Sequence, residues 1–469
     1  MSEPRENSGA EAQTPGRPKA VFTTGSTLRH VVVMTTTGSI GLIAVFLVDF
    51  LNLFYIAQLG REDLTAAIGY AGALLFFMIS INVGVMIAAT ALCARAIGAG
   101  RPEEARRITT SSLTLSALVL VILSAAIMPL LGPLCGLMGA TGATRDIAVD
   151  FLIIVTPSTP IMGLGMVASG LLRARGDARR AMYVTLAGAV ASAVLDPILI
   201  FGLGLGVTGA AIATVAARFA MVTVGLYGIV IVHDMAERPN LDGIRSDWRP
   251  LAAIAVPAIL TNVATPAANA WVTAEIAPFG DSALAAWAVL GRIIPLAYGG
   301  LFALAGAVGP IVAQNYGAGL FPRMRRTLTD CHLFTLVYCL VVWLALFIGA
   351  EPVIRAFALS GEGAVQVRAF ATWIAPSYVF LGALFVANAA FNNLGFATLS
   401  TAFNWGRATL GTIPFTTAGA WLAGSVGVLA GQALGTVLFG TAAAVVAYRV
   451  VDRLEATAWK PEREGTGIA

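Results

Sequence analysis

Twelve long apolar stretches follow one another along this chain, near residues 29–57, 66–95, 108–135, 147–172, 181–203, 207–233, 250–277, 282–313, 327–350, 365–392, 399–422 and 426–450. A helix needs about 20 apolar residues to cross the hydrocarbon core of a bilayer, and each stretch is long enough. The expected architecture is an all-α integral membrane protein with twelve transmembrane helices. Several stretches exceed that minimum, so tilt or short turns outside the membrane are expected. Charged residues make up 12% of the chain and apolar ones 58%, against about 25% charged in a soluble domain. The length is therefore better divided into spans than into soluble domains.

The arginines write the topology. They cluster after spans two (Arg101, Arg106, Arg107), four (Arg173, Arg175, Arg179, Arg180), six (Arg238, Arg245, Arg249) and eight (Arg323, Arg325, Arg326), and again in the tail (Arg453, Lys460, Arg463). The alternate loops hold only Arg61, Arg145, Arg355 and Arg368. The positive-inside rule then puts both termini in the cytoplasm of a multi-pass protein of the plasma (inner) membrane. The net charge of +4 is thus a topological signal, and no nucleic-acid partner is expected. Residues 1–27 are polar, rich in Pro, Gly, Ser and Glu, and expected to be disordered; they do not form a cleavable signal peptide. Cys93, Cys135, Cys331 and Cys339 show no C-x-x-C pairing and are read as small core residues. The partners expected are a small molecule and the lipid bilayer, with the chain acting as a monomer.

The two halves repeat. Gly98-Ala-Gly100 matches Gly317-Ala-Gly319, Arg106-Arg107 matches Arg325-Arg326, and Gly176 matches Gly395, all 219 residues apart. Six spans per repeat is an even number, so the repeats share an orientation and are related by an axis along the membrane normal. This predicts two pseudo-twofold-related six-helix lobes, residues 28–233 and 250–452, joined by a cytoplasmic linker at 234–249 and followed by a tail at 453–469.

Acids inside such spans are costly and by default functional. Asp49 lies in span one and Asp196 in span five. Helix rise puts Asp49 about 11–16 Å, Asp196 about 9 Å and Thr214 of span six about 10 Å below the loops remote from the termini, so the three can meet. Ser192 and Asp196 are one turn apart on one face, as are Asp49 and Asn52. The set offers hard oxygen ligands for Na⁺ at Asp49, Asp196 and Thr214, or a carboxylate pair that shares a proton. Arg218, one turn from Thr214, is read as a structural ion pair or carbonyl contact. Under the repeat Asp49 corresponds to Asn269, so the acids belong to the first lobe alone.

The chain resembles the multidrug and toxic compound extrusion (MATE) transporters over essentially its whole length. The motifs that carry this are Asp49 with Gln58-Leu-Gly60; Ala94-Arg-Ala-Ile-Gly-Ala-Gly100 with Glu104-Ala-Arg-Arg107; Leu172-Arg-Ala-Arg-Gly-Asp177; and Leu195-Asp-Pro-Ile-Leu-Ile-Phe-Gly-Leu-Gly-Leu-Gly-Val-Thr-Gly-Ala-Ala-Ile-Ala-Thr214. The resemblance is strongest to the DNA-damage-inducible (DinF-type) branch. It implies a V-shaped pair of lobes around a central cavity and an alternating-access antiporter that exports amphipathic, often cationic compounds in exchange for H⁺ or Na⁺. It places ion coupling on Asp49, Ser192, Asp196 and Thr214, to which the residue reading adds Asn52. Two departures stand out: Ser192 occupies a position where that branch has Asn, and span one lacks the proline that some members carry.

The cavity candidates in the second half are Asn269, Asn388, Asn392, Tyr298, Arg292 and Trp271, because amides need partners or water inside a membrane and aromatics accept cations. Arg292 and Arg407 are positive charges in spans and would favour an anionic cargo. The alternative function is therefore a flippase for lipid-linked or anionic substrates of the same superfamily. An enzyme or a scaffold is the remote alternative, since no clustered catalytic or metal motif is present; His30, His233 and His332 sit near helix ends and are read as capping or interfacial. No cofactor is expected beyond the coupling ion.

Overall fold

The computed structural model describes residues 20–60 and 62–458, and every regular element among them is helical. The spans are α1 (Thr27–Ala57), α2 (Glu62–Gly98), α3 (Pro102–Leu137), α4 (Gly142–Arg175), α5 (Ala178–Gly202), α6 (Gly206–Val232), α7 (Leu241–Ile276), α8 (Asp281–Ala297 with Gly299–Gly317), α9 (Phe321–Ala356) and α10 (Gly361–Leu394). The halves of α8 are bent by 43° at Tyr298, shortly after Pro295, whose missing N–H weakens the helix there.

The remaining 62 residues, Ala397–Ala458, are two spans rather than one. Ala423 (φ −148°, ψ 28°) and Gly424 (φ 59°, ψ −143°) leave the helical region. On either side the backbones nearly touch. A methyl placed on Gly427 would lie 1.9 Å from the Gly419 carbonyl oxygen, one on Gly431 2.1 Å from that of Phe415, and one on Gly435 1.5 Å from that of Gly411. The pairing 419 with 427, 415 with 431 and 411 with 435 is an antiparallel hairpin, so α11 covers 397–422 and α12 covers 425–458. Twelve spans in two lobes result, α1–α6 and α7–α12.

The repeat is visible in three dimensions. In α4 the helix breaks at Thr156–Ser158 and in α10 at Ala375–Ser377, each around a proline and 219 residues apart. Arg106 pairs with Asp234 at 2.7 Å, and Arg325 pairs with Asp452 at 3.0 Å, tying the third span of each lobe to the chain that follows its sixth.

The lobes meet at the end that carries both termini. A methyl on Gly98 would lie 2.0 Å from the Gln314 carbonyl oxygen, and one on Gly317 would lie 2.1 Å from that of Arg95. These two contacts are related by the repeat, since Arg95 corresponds to Gln314, so the pseudo-twofold axis runs between α2 and α8. From the same positions the side chains reach across. Arg95 donates to the carbonyl oxygens of Asn393 (2.6 Å) and Asn392 (3.3 Å), and Gln314 Nε2 donates to that of Ala174 (2.7 Å). Each lobe thereby satisfies orphan carbonyls at the end of the other lobe's fourth span, where the helix dipole favours positive charge.

Three expectations for the chain's irregular parts are corrected. Residues 20–26 are ordered. The N–H groups of Val21 and Phe22 both donate to Gln314 Oε1 at 3.0 and 2.9 Å, Phe22 is 2% exposed, and Arg323 holds the Phe22 and Thr24 carbonyls. The linker is half helix, because α7 begins at Leu241 behind an Asn240 cap. The helix of α12 continues through Ala458 into the expected tail. Arg61, Lys460, Arg463 and the rest of both termini lie outside the described residues.

Candidate functional site

Parallel packing of α1 against α5 builds the polar site of the first lobe. Gly41 of α1 sits on Thr185 of α5, and three turns further on Asn52 reaches Asp196. Each helix has advanced by the same 11 residues, so the two faces stay in register. Asp196 is fully buried. Its Oδ2 accepts from Ser192 Oγ at 3.0 Å and from Asn52 Nδ2 at 3.4 Å, while its Oδ1 is buried without a partner. An orphaned carboxylate oxygen in a dry site is expensive, and the charge is relieved by a bound proton or a cation. Pro197 follows at once and the helix opens into a wide turn over Ile198–Gly202, which frees local backbone beside the acid.

Asp49 occupies the neighbouring face. Gly38, three turns before it, packs on Ala303 of α8, and Phe46 approaches Gly299 where α8 bends away. Asp49 continues that face beyond the bend and is exposed. Its carboxylate is within electrostatic reach of Asp196. In the second lobe Asn269 behaves alike. Ile259 of α7 lies against Gly84 of α2, and the continuation of that stripe, Asn269 and Thr273, is exposed. The lobes therefore diverge beyond mid-depth, and Asp49 and Asn269, equivalent by the repeat, face each other's lobe across an open cleft.

Among the candidates, Asn52, Ser192 and Asp196 come together, with Asp49 beside them. Thr214 does not join by hydrogen bond, because its hydroxyl donates to the Ala210 carbonyl of its own helix at 2.9 Å. Among the described residues there is no group of three or more His, Cys, Asp or Glu side chains that could hold a metal ion. A cation here would rest on the two acids with Ser192 and the lone pairs of Thr214. Arg218 pairs with no acid. It is 5% exposed and donates to the Val155 carbonyl (2.9 Å), Ser158 (2.8 Å) and Thr159 (3.5 Å), bridging the break in α4.

Tyr298 is corrected from cavity wall to interior. It is 1% exposed, stacks on Tyr378 at 4.3 Å, and donates to the Ala375 carbonyl at the break in α10. It thus does for the second lobe what Arg218 does for the first. Asn388 and Asn392 are also buried; Ser400 donates to the Asn388 carbonyl and to Asn392 Oδ1. Trp271 is 37% exposed, its indole N–H bonded to Thr416. Arg292 is exposed, on the side of its helix opposite the packed Ala286 and Leu290. Arg407 is buried and donates to Thr265 at 3.1 Å. The Arg95–Gln314 exchange was missed from sequence. Its signal was present, since both residues stand three positions before the repeated Gly98 and Gly317.

The MatE family model matches residues 39–198 and 257–418. A protein described as an FAD transporter from Shewanella oneidensis is 30% identical over 431 residues, covering 90% of this chain and 95% of its own. The multidrug export protein MepA of Staphylococcus haemolyticus is 22% identical and covers 71% of this chain and 74% of its own. The crystal structure of the Vibrio cholerae MATE transporter VcmN in its bent form superposes with a TM-score of 0.87 at 24% identity, over 92% of this chain and 99% of that one.

Proposed function

The chain belongs to the MatE family of membrane transporters, and from that premise we propose that it is an ion-coupled antiporter exporting small amphipathic compounds. The observation that carries the reading is Asp196, a fully buried carboxylate with one oxygen held by Ser192 and Asn52 and the other unpartnered. The coupling ion, H⁺ or Na⁺, binds at Asp196 and Asp49, with Asn52, Ser192 and Thr214 completing the site. With both termini in the cytoplasm of a plasma-membrane monomer, the seal at Gly98 and Gly317 closes the inner face and the cleft opens outward. Cargo with a cationic group meets the exposed Asp49. Coupling requires the ion to bind one state of the lobes more tightly than the other. Asp196 meets that requirement if the gap between α1 and α5 changes as the lobes rock.

The test is dye efflux in everted vesicles, driven by either an H⁺ or a Na⁺ gradient. Ethidium movement driven by one gradient and lowered at least tenfold in Asp196→Asn supports the reading and names the ion. Gradient-driven efflux that persists in folded Asp196→Asn would overturn it.

A second reading, export of an anionic metabolite, is favoured by Arg292 and Arg407, which have no acidic partner among the described residues. The relative named as an FAD transporter supports the same class of cargo.

A further inference from the structure

Two buried arginines stand at related depths in the two lobes, and they are satisfied very differently. Arg218 has three oxygen partners, one of them a helix-end carbonyl. Arg407, also 5% exposed, makes a single side-chain hydrogen bond among the described residues, Nη2 to Thr265 Oγ1, and its Nε is buried without a partner. No carboxylate pairs with it among the described residues. Tyr378 is within electrostatic reach. A guanidinium taken out of water with most of its donors unused is the costliest way to bury a charge, unless an anion arrives to meet it.

The position is accessible. Thr265, to which Arg407 reaches, is exposed, and Asn269 lies one turn further along the same exposed side of α7. That side looks into the cleft. Arg407 therefore stands just behind the cleft wall with its bonding edge toward it, and Trp271 supplies exposed ring surface half a turn beyond Asn269. The lobe opposite carries the acids, Asp49 and Asp196. The interior is thus divided by charge, acids on the first lobe and an unpaired cation on the second.

We propose that Arg407, with Thr265, forms an anion subsite on the cleft wall of the second lobe, which takes a phosphate or carboxylate group of an amphipathic cargo. This rests on the transport reading above for its role but not for its existence. The geometry suits a bidentate acceptor, which uses Nε and one Nη of the same guanidinium edge. The same chemistry would hold a free inorganic anion, so the test separates the two sources.

The probes are riboflavin and flavin mononucleotide, fluorescent compounds that share one ring system and differ by a phosphate. Binding to the purified full-length protein is measured in sodium gluconate buffer for wild type, Arg407→Gln and Thr265→Val, the last an exposed change that leaves packing intact. The expected result is a preference of at least tenfold for the mononucleotide in wild type, abolished in Arg407→Gln and weakened in Thr265→Val. If neither flavin is preferred but chloride or inorganic phosphate raises the melting temperature of wild type and not of Arg407→Gln, the subsite stands with a free anion as its occupant. Should Arg407→Gln fail to fold, the decision passes to Thr265→Val. Equal binding of both flavins without anion-dependent stabilisation, or an undiminished preference in the variants, overturns the proposal. Loss of coupled efflux in Asp196→Asn does not bear on this binding ratio, so the two readings fail separately.

Discussion

At the scale of single residues, what decides a polar side chain's role here is how many of its bonding atoms are already used. Arg218 and Tyr298 are spent on the proline breaks of α4 and α10, and so they are structural. Asp196 and Arg407 each retain an unused buried atom. Asp177 is a fully used acid of another kind. It caps α5 by accepting from the Arg180 N–H at 3.0 Å, and it accepts from His233 at 2.8 Å. Burial alone would raise its carboxyl, but the hydrogen bonds from His233 and Arg180 outweigh that and hold it well below the usual carboxylate range. A depressed acid stabilises the fold above its ordinary value, about 4, and that contribution is lost as pH falls through the lowered one. Asp177→Ala is expected to cost about 1 kcal/mol or more through the lost cap. Its melting temperature in detergent should fall below wild type at pH 7, with the gap narrowing as the pH drops below 4; a gap that widens would contradict this account.

At the scale of elements, the closing hairpin is the clearest case of sequence becoming packing. Gly411, Gly419, Gly427, Gly431 and Gly435 let α11 and α12 approach at backbone distance. Without a hydrophobic drive between helices in lipid, such small-residue contact is the main source of association. A methyl on Gly435 would meet the Gly411 carbonyl at 1.5 Å, where no side-chain rotation relieves it. Gly435→Ala is expected to separate the pair and lower the melting temperature by several degrees. Gly136→Ala, which adds a methyl with no neighbour within 4 Å, should leave it within a degree. Equal melting temperatures for the two variants would mean that the hairpin is packed otherwise. The same logic explains why 62 residues of uninterrupted helical pattern are two spans: only Ala423 and Gly424 leave the helix, and neither is a proline.

At the scale of the whole molecule, the seal at the termini is a symmetric exchange overlaid by one asymmetric strap. Arg95 and Gln314 trade places across the axis, while Val21 and Phe22 lie on Gln314 from one side only. Opening this end must break the strap, because Gln314, Asn315 and Arg323 belong to the second lobe and the strap leads into α1 of the first. Gln314→Ala removes acceptor and donor together. It should shift the lobes away from the sealed state, read as a rise in modification of a single cysteine placed at Ala174 by a membrane-impermeant thiol reagent added from the termini side, in a chain whose four native cysteines are replaced. Unchanged labelling would show that the glycine contacts alone hold the seal.

Much of this molecule was legible in the sequence because membrane proteins write their architecture in long, local signals. The apolar runs set the span count, and the 219-residue repeat set the two lobes. A carboxylate in an apolar helix announced itself at Asp49 and Asp196, and the i,i+4 spacing put Ser192 on the correct face. What tertiary structure alone decided was which polar atoms remain unused. Tyr298, Arg218 and Arg407 look alike in the sequence, each a polar residue in an apolar span. Their roles separate only when a neighbouring helix does or does not bring an acceptor within about 3 Å, a distance that depends on crossing and register between segments far apart in the chain. The ordering of residues 20–26 has the same origin: a polar segment without intrinsic structure is held because Gln314, almost 300 residues away, is placed to accept its two N–H groups.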